Sequence, residues 1–188
     1  ITDTGKAQEI NKNIFDDIDD VEWAKEAIVY LAERKIVNGV GDGKFAPNDT
    51  VTRAEMAKMI SGVFLTEEPS GENPFSDVSD ADWSFEFIKK AYASGIITGY
   101  DDGTFRPDDK ITRQDAAVML YRAAKKFNIE FYAEITKYFA DEDEFASYAK
   151  EAISNMYNMG FINGVGDNRF APNEYTTRAQ TAKIIYTM

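Results

Sequence analysis

Three copies of one ten-residue stretch occur in this sequence, and the first of them reads Asn38-Gly39-Val40-Gly41-Asp42-Gly43-Lys44-Phe45-Ala46-Pro47. The second copy spans residues 98–107 and the third spans residues 163–172. In each copy an Arg stands fourteen residues after the first Gly, and an aromatic residue stands sixteen residues before it. Self-similarity at a nearly fixed period is typical of repeat architectures, so the sequence predicts three similar modules.

The module boundaries follow from the residues around these stretches. Each module opens with a Phe that is followed two residues later by an acid, in the pairs Phe15/Asp17, Phe75/Asp77 and Phe139/Asp141. We therefore place an N-terminal lead-in at residues 1–14 and the modules at residues 15–64, 75–127 and 139–188. One helix pair cannot bury both of its faces alone, so we expect the three modules to fold as one cooperative unit.

Each module is predicted to form a helix, a loop and a second helix. The first helix follows the aromatic residue, where apolar or small residues recur at i, i+3, i+4 and i+7, as at Ala24, Ala27, Ile28 and Leu31. The second helix begins after a Thr that is followed three residues later by Glu, Asp or Gln, which is the capping-box pattern or close to it. These pairs are Thr52/Glu55, Thr112/Asp115 and Thr177/Gln180. The predicted fold class is all-α, with three tandem helix–loop–helix modules and pseudo-threefold character.

The composition excludes several classes of function. The 188 residues include 21 Lys and Arg against 33 Asp and Glu, which gives a formal net charge of −12. A surface this acidic is a poor match for nucleic acid or an anionic membrane, and no apolar run approaches the ~20 residues of a membrane-spanning helix. Cys and His are both absent, which excludes thiol chemistry, Cys-type zinc sites and His-based catalysis. The glycine loops lack the alternating acids of an EF-hand, so we expect neither a metal nor another cofactor.

The repeated Arg is the position most indicative of function. It lies in the first turn of the second helix, where the helix dipole disfavours a cation by ~0.3–1 kcal/mol. One interpretation is structural, namely an ion pair with the acid four residues earlier, which is Asp49, Asp109 or Glu174. The other is functional, with the guanidinium fork and the backbone donors of the helix N-terminus binding a carboxylate. The two interpretations are compatible. Under the second, an Arg→Ala substitution weakens binding while leaving the fold intact.

The aromatic residues and the glycines each allow a structural and a functional interpretation. From the residues alone, the aromatic that leads each first helix is best interpreted as a core or staple residue, and the alternative is a platform on which a sugar ring stacks. Gly43, Gly103 and Asn168 share one loop position and are interpreted as turn residues, because Gly and Asn tolerate positive φ. The first Gly of each stretch leaves backbone exposed that a ligand could use.

These motifs together resemble the S-layer homology family of bacterial cell-surface proteins. The resemblance rests on the Phe-x-Asp openings, the helix-leading Trp, the Gly-x-x-Asp-Gly-x-Phe-x-Pro loop and Thr52-Arg53-Ala54-Glu55 with its two counterparts. It implies a three-pronged spindle with a central helical bundle and grooves between neighbouring modules. It also implies an extracellular location in the bacterial cell wall or S-layer. The implied function is non-catalytic binding of secondary cell wall polymer, a peptidoglycan-linked glycan whose pyruvylated N-acetylmannosamine carries a carboxylate.

The resemblance also implies which residues bind the ligand. The carboxylate is assigned to Arg53, Arg113 and Arg178, and the grooves are lined by Gly39, Gly99, Gly164, Trp23, Trp83 and Tyr148. Acceptors for sugar hydroxyls are assigned to Asp17, Asp77 and Asp141. Two other functions stay open: a protein-interaction or self-assembly module, since helical repeats commonly bind proteins, and a glycosidase that uses paired carboxylates. The acids repeat with the modules rather than converging on one site, which disfavours the glycosidase.

Overall fold

Six α-helices form the computed structural model, which describes residues 14–65, 71–131 and 137–188. They are α1 Glu22–Glu33, α2 Arg53–Phe64, α3 Phe85–Ala93, α4 Arg113–Lys126, α5 Lys150–Asn158 and α6 Arg178–Thr187. Short 3₁₀ helices at Asp19–Val21 and Glu142–Glu144 precede α1 and α5. No strand occurs within these ranges, so the all-α, three-module prediction is confirmed. The predicted lead-in lies outside the described residues except for Ile14.

The helices pack between modules rather than within them. The most extensive helix contacts join α2 to α3, α4 to α5 and α1 to α6. The first helix of each module thus packs on the second helix of the preceding module, and the last module closes on the first. The helices α2, α4 and α6 form the centre, where α2 contacts both of the others. Because each module completes its neighbour's core, we still predict one cooperative unit.

A ring of three backbone hydrogen bonds marks the pseudo-threefold axis. The Val51 N–H donates to the Thr176 carbonyl (3.1 Å), the Thr176 N–H to the Ile111 carbonyl (3.3 Å), and the Ile111 N–H to the Val51 carbonyl (2.9 Å). All three residues are buried. Each stands shortly before the Arg of its module, so the ring fixes the three second helices at equivalent positions around the axis.

The glycine loops are held to the core by their Phe residues. Phe45, Phe105 and Phe170 are among the largest fully buried or nearly fully buried side chains. Each packs against the Phe that opens its own module, with ring centroids 5.3 to 5.4 Å apart. The turn interpretation of the loop position shared by Gly43, Gly103 and Asn168 is also confirmed, since φ is +69°, +78° and +55° at these residues.

Candidate functional site

Three equivalent grooves lie around the axis, and each is built from all three modules. One module supplies the Arg, the next supplies the glycine loop, and the third supplies the aromatic residue. The sets are Arg53, Gly99 and Tyr148; Arg113, Gly164 and Trp23; and Arg178, Gly39 and Trp83. We name each groove by its Arg. Their cavity volumes are about 380 Å³ for the Arg53 groove, 490 Å³ for the Arg113 groove and 420 Å³ for the Arg178 groove.

Each Arg side chain clasps the loop of the next module. The Nε of Arg53 donates to the Phe105 carbonyl at 2.8 Å. The same bond joins Arg113 to Phe170 at 2.7 Å and Arg178 to Phe45 at 2.9 Å. Each guanidinium carbon also lies 4.6 to 4.7 Å from the centroid of that Phe ring. Only 8% of each Arg is exposed, so the guanidinium groups form the floor of the grooves and join neighbouring modules.

The outer guanidinium nitrogens differ among the three grooves. Nη2 of Arg113 donates to the Asn163 carbonyl at 2.9 Å, and Nη2 of Arg178 donates to the Asn38 carbonyl at 2.6 Å. Nη1 of Arg178 also makes an ion pair with Glu55 at 3.1 Å. In the described part of the chain, the outer nitrogens of Arg53 have no hydrogen-bond partner. The loop that faces Arg53 differs in shape, since Gly99 has φ of +69° whereas Gly39 and Gly164 have no positive φ.

The predicted ion pair with the acid four residues earlier does not form in the described ranges. Instead, the backbone carbonyl of that acid accepts a hydrogen bond from the Arg of the preceding module. The Arg53 N–H donates to the Asp109 carbonyl at 2.9 Å, and the other modules repeat this bond at 2.8 and 2.9 Å. Each Arg at a helix N-terminus is therefore stabilised by carbonyl oxygens of the next module rather than by the carboxylate four residues before it in its own module.

The helix N-termini do not offer the free donors that the sequence predicted. The N–H of the second helical residue donates to a Pro carbonyl of the next module, as from Ala54 to Pro107 at 2.9 Å. The N–H of the third residue donates to the Thr cap, as from Glu55 to Thr52 at 3.2 Å. Both bonds recur in the other two modules. The prediction that free donors at the helix N-terminus bind the carboxylate is therefore wrong, because loop carbonyls and the Thr hydroxyl already accept from these N–H groups.

The aromatic residues lie on the surface, so the core interpretation of them is wrong. Trp23, Trp83 and Tyr148 are 53%, 57% and 59% exposed, and each lines one groove. Tyr148 differs from the two Trp residues because its hydroxyl donates to Asp115 at 2.7 Å. Burial, together with this carboxylate, raises the pKa of Tyr148. The helical spacing that follows these residues could not reveal that they face away from the core.

The first Gly of each loop is required by packing behind the groove. A Cβ added at Gly99 would lie 2.2 Å from Cε1 of Phe75, and one at Gly39 would lie 2.6 Å from Cε1 of Phe15. At Gly164 the nearest atom is the Arg169 carbonyl oxygen at 2.5 Å. These glycines do line the grooves, but the absent side chain is explained by close packing against the module's opening Phe and against a backbone carbonyl of the same loop.

The opening acids hold the loops and do not line the three grooves. The two carboxylate oxygens of Asp17 accept from the N–H groups of Phe45 and Ala46, both at 2.8 Å. Asp77 and Asp141 make the equivalent pairs of bonds at 2.7 to 2.9 Å. This differs from the predicted position beside sugar hydroxyls, since both oxygens already accept backbone donors. The Phe-x-Asp opening is therefore a loop-fixing motif.

Sequence reasoning missed the third residue of each second helix as a groove residue. Glu55 lines the Arg178 groove, Asp115 the Arg53 groove and Gln180 the Arg113 groove. We assigned these residues to helix capping alone, and the capping boxes are complete at Thr52/Glu55 and Thr177/Gln180. Their variation among three otherwise equivalent modules was the available signal that they also face a site.

The described residues contain no group of three or more acids that could hold a metal ion. Likewise, none of the described helices is long and apolar enough to cross a membrane.

Comparisons with known proteins match the sequence of this chain to one family. The family model described as S-layer homology domain matches residues 14–57, 74–117 and 138–182. An exoglucanase, XynX, of Acetivibrio thermocellus is 38% identical over 97% of this chain and 17% of its own length. The cellulosome-anchoring protein of the same species is 30% identical, with 79% of this chain and 34% of its own length covered. The S-layer protein EA1 of Bacillus anthracis is 27% identical, with 91% of this chain and 19% of its own length covered. The chain spans less than a fifth of the first curated relatives, which are named as polysaccharide-degrading enzymes.

Proposed function

The chain belongs to the S-layer homology family, and from this premise we propose that it anchors a protein by binding a carboxylate-bearing polymer of the bacterial cell wall in its grooves. As a member of this family it is a module of the cell surface, associated with the cell wall. The anchoring role agrees with the names of two relatives, the cellulosome-anchoring protein and the S-layer protein EA1.

The observation that carries this proposal is the pairing, in every groove, of a buried guanidinium with an exposed aromatic side chain. An exposed Trp or Tyr provides a flat apolar face that suits a sugar ring, whereas the fixed guanidinium fork suits a carboxylate. A sugar that bears a carboxylate can use both groups at once. Pyruvylated N-acetylmannosamine has this combination, and we propose it as the recognised unit.

The net charge of −12 does not oppose an anionic ligand. Exposed charges are screened beyond ~8 Å at physiological salt, so the charges inside a groove dominate what a bound sugar experiences. Burial lowers the pKa of Arg113, while Glu174 and Asp141 act in the opposite direction. The guanidinium remains charged in either case, and a partly desolvated cation gains more from an anionic partner than a solvated one does.

We propose that the module itself is not catalytic. The relatives named as enzymes are much longer than this chain, so their activity does not transfer to it. The carboxylates of Asp17 and Asp141 accept hydrogen bonds from backbone N–H groups, so neither acid is free to act in catalysis. A site built three times from one Arg and one aromatic residue is suited to retaining a polymer by several simultaneous contacts.

Sedimentation with purified, protein-free cell wall tests this function. We expect the chain to sediment with untreated wall and to remain in solution when the pyruvyl groups have been removed. The matched variants are a triple replacement of Trp23, Trp83 and Tyr148 by Ala, which should abolish sedimentation, and Tyr175→Ala, which should not. Tyr175 is 51% exposed but lines none of the three grooves. Equal sedimentation with both walls would contradict carboxylate recognition, and no sedimentation with either would favour a protein-interaction module.

A further inference from the structure

The three grooves share one architecture but differ in charge. One variable element, common to all three grooves, is the third residue of the second helix, which faces the guanidinium of the preceding module. This residue is Gln180 in the Arg113 groove, Glu55 in the Arg178 groove and Asp115 in the Arg53 groove. One groove thus has a neutral amide where the other two have a carboxylate.

The Arg113 groove contains no acid among its lining residues. Its charged lining residues are Arg113 and Lys183, both positive. The Gln180 side-chain oxygen lies 3.5 Å from Nη1 of Arg113, so it partners the guanidinium without neutralising it. This groove also has the largest volume of the three, about 490 Å³.

The Arg178 groove is partly neutralised by its own acid. Glu55 makes an ion pair with Arg178 at 3.1 Å, and Lys58 leaves the lining with one excess positive charge. An incoming carboxylate must therefore compete with the Glu55 carboxylate for the same guanidinium.

The Arg53 groove has no net charge among its lining residues. Arg53 and Arg122 are balanced there by Asp101 and Asp115. Asp115 is one methylene shorter than Glu and makes no ion pair with Arg53 among the described residues. Its carboxylate instead accepts the Tyr148 hydroxyl at 2.7 Å, which joins two walls of the smallest groove.

We propose that the Arg113 groove is the principal anion-binding groove of this protein, and that Gln180 is the residue that determines its preference. This inference rests on the proposed function, since it concerns the same carboxylate-bearing sugar. Acids close to each guanidinium outside the grooves, such as Asp141 and Glu174 beside Arg113, have acidic counterparts in the other two modules and do not distinguish the grooves.

The size of the preference follows from the repulsion between two carboxylates. A ligand carboxylate on the guanidinium would lie about 5 Å from a carboxylate at the third helical position. For an effective dielectric constant of about 40 to 80, which is appropriate to a groove open to water, this repulsion corresponds to a roughly four- to fifteenfold difference in affinity. The Arg113 groove should therefore bind more tightly than the Arg178 groove by about this factor.

Fluorescence can measure two of the grooves separately because the chain has only two Trp residues. In Trp83→Phe the remaining Trp23 reports the Arg113 groove, and in Trp23→Phe the remaining Trp83 reports the Arg178 groove. The probe is a short glycoside of pyruvylated N-acetylmannosamine, titrated at fixed salt. We expect the lower Kd from Trp23.

Two reciprocal substitutions test the role of Gln180. In the Trp83→Phe background, Gln180→Glu should raise the Kd about four- to fifteenfold. In the Trp23→Phe background, Glu55→Gln should lower the Kd by a similar factor. Glu and Gln each complete a capping box in this protein, so exchanging one for the other should change the melting temperature little. The melting temperature therefore serves as the folding control.

The outcomes separate this inference from the proposed function. Three results would overturn the groove preference without affecting the proposed binding to cell wall. They are equal Kd values from the two reporters, a lower Kd from Trp83, and no effect of either substitution. If neither reporter responds and the unaltered chain also fails to sediment with pyruvylated wall, the proposed function is wrong and the preference falls with it. A lower Kd from Trp23 that Gln180→Glu abolishes would confirm the inference.

Discussion

Replacing Arg178 by Ala should destabilise the fold as well as weaken ligand binding. The side chain donates to the Phe45 and Asn38 carbonyls at 2.9 and 2.6 Å and makes an ion pair with Glu55 at 3.1 Å. Its guanidinium also covers the Phe45 ring at 4.6 Å. These contacts connect the last module to the first across 123 to 140 residues of sequence, so their loss opens the closed ring of modules.

The magnitude can be estimated from these contacts. A hydrogen bond from a charged donor contributes about 1.5 kcal/mol at the low end of its range, and a cation–π contact adds about 0.5–1 kcal/mol. The ion pair adds little, since Glu55 is about one-third exposed. Side-chain freedom regained on unfolding offsets part of this, by up to about 2 kcal/mol. We expect a net loss of about 2–3 kcal/mol, which lowers the Tm of a chain this long by about 4–12 °C.

Urea and thermal denaturation of three variants test this estimate. Arg178→Ala should show the full loss and Arg178→Lys an intermediate one, because Lys keeps the charge but lacks the planar fork. Arg34→Ala is the matched control, since Arg34 caps the end of α1 and its described hydrogen bond and cation–π contact both go to Tyr30 of that helix. If the free energy of unfolding of Arg178→Ala stayed within about 0.5 kcal/mol of that of the unaltered chain, the contacts between the Arg178 side chain and the first module would be structurally unimportant. The expectation that Arg→Ala leaves the fold intact would then hold.

Three further predictions concern the glycine loops. Gly99→Ala should lower the free energy of unfolding, measured by urea denaturation, by at least about 2 kcal/mol more than Gly95→Ala does. Both glycines have positive φ, but only a Cβ at Gly99 would meet Phe75, at 2.2 Å. Equal losses of stability would contradict the packing argument. Asp141→Asn should lower the free energy of unfolding by about 1–3 kcal/mol. An amide oxygen replaces only one of the two oxygens that accept from the Phe170 and Ala171 N–H groups. An unchanged urea midpoint would contradict this role of Asp141. The pKa of Asp102 is lowered to about 2 by its hydrogen bonds to Thr104, with help from Arg106. The stability that Asp102 contributes should therefore be present above pH ~4 and be lost as the pH falls through about 2. Carboxyl NMR shifts should follow this titration, and a pKa that Thr104→Val fails to raise would contradict the assignment.

The elements that local sequence patterns determine were predictable. The modules were identified by their repeated stretches, and the first helices by their helical spacing. The second helices followed from their Thr caps. The cap at Thr112 shows the limit of such patterns: Asp115 matches the motif approximately, but its carboxylate accepts the Tyr148 hydroxyl rather than completing a capping box. A pattern three residues long could not reveal a partner 33 residues away.

The candidate site was predicted in its residue types but not in its connections. Arg178 contacts Phe45 across 133 residues, and no local signal indicates that the modules exchange contacts cyclically. The acids illustrate a different limit: the family resemblance implied that Asp17 lies beside a ligand, whereas its carboxylate accepts from the loop of its own module 28 residues later. A pairing at this separation leaves no local pattern in the sequence. Exposure of Trp23 was equally hidden, because a residue at the start of a helix can face the core or the solvent with the same spacing behind it.

The composite construction of the grooves couples binding to folding. A groove exists only when the Arg of one module reaches the loop carbonyl of the next, and this contact also holds the two modules together. Under the proposed function, a bound carboxylate would interact with a guanidinium that the fold has already oriented, so ordering that side chain would add little to the cost of binding. Because the unfolded chain cannot assemble any groove, and because we predict that the three modules fold as one cooperative unit, a ligand in one groove is expected to stabilise all three modules by mass action. Under the proposed function, the closed ring of modules is therefore the state that binds the polymer, and binding the polymer in turn stabilises the closed ring.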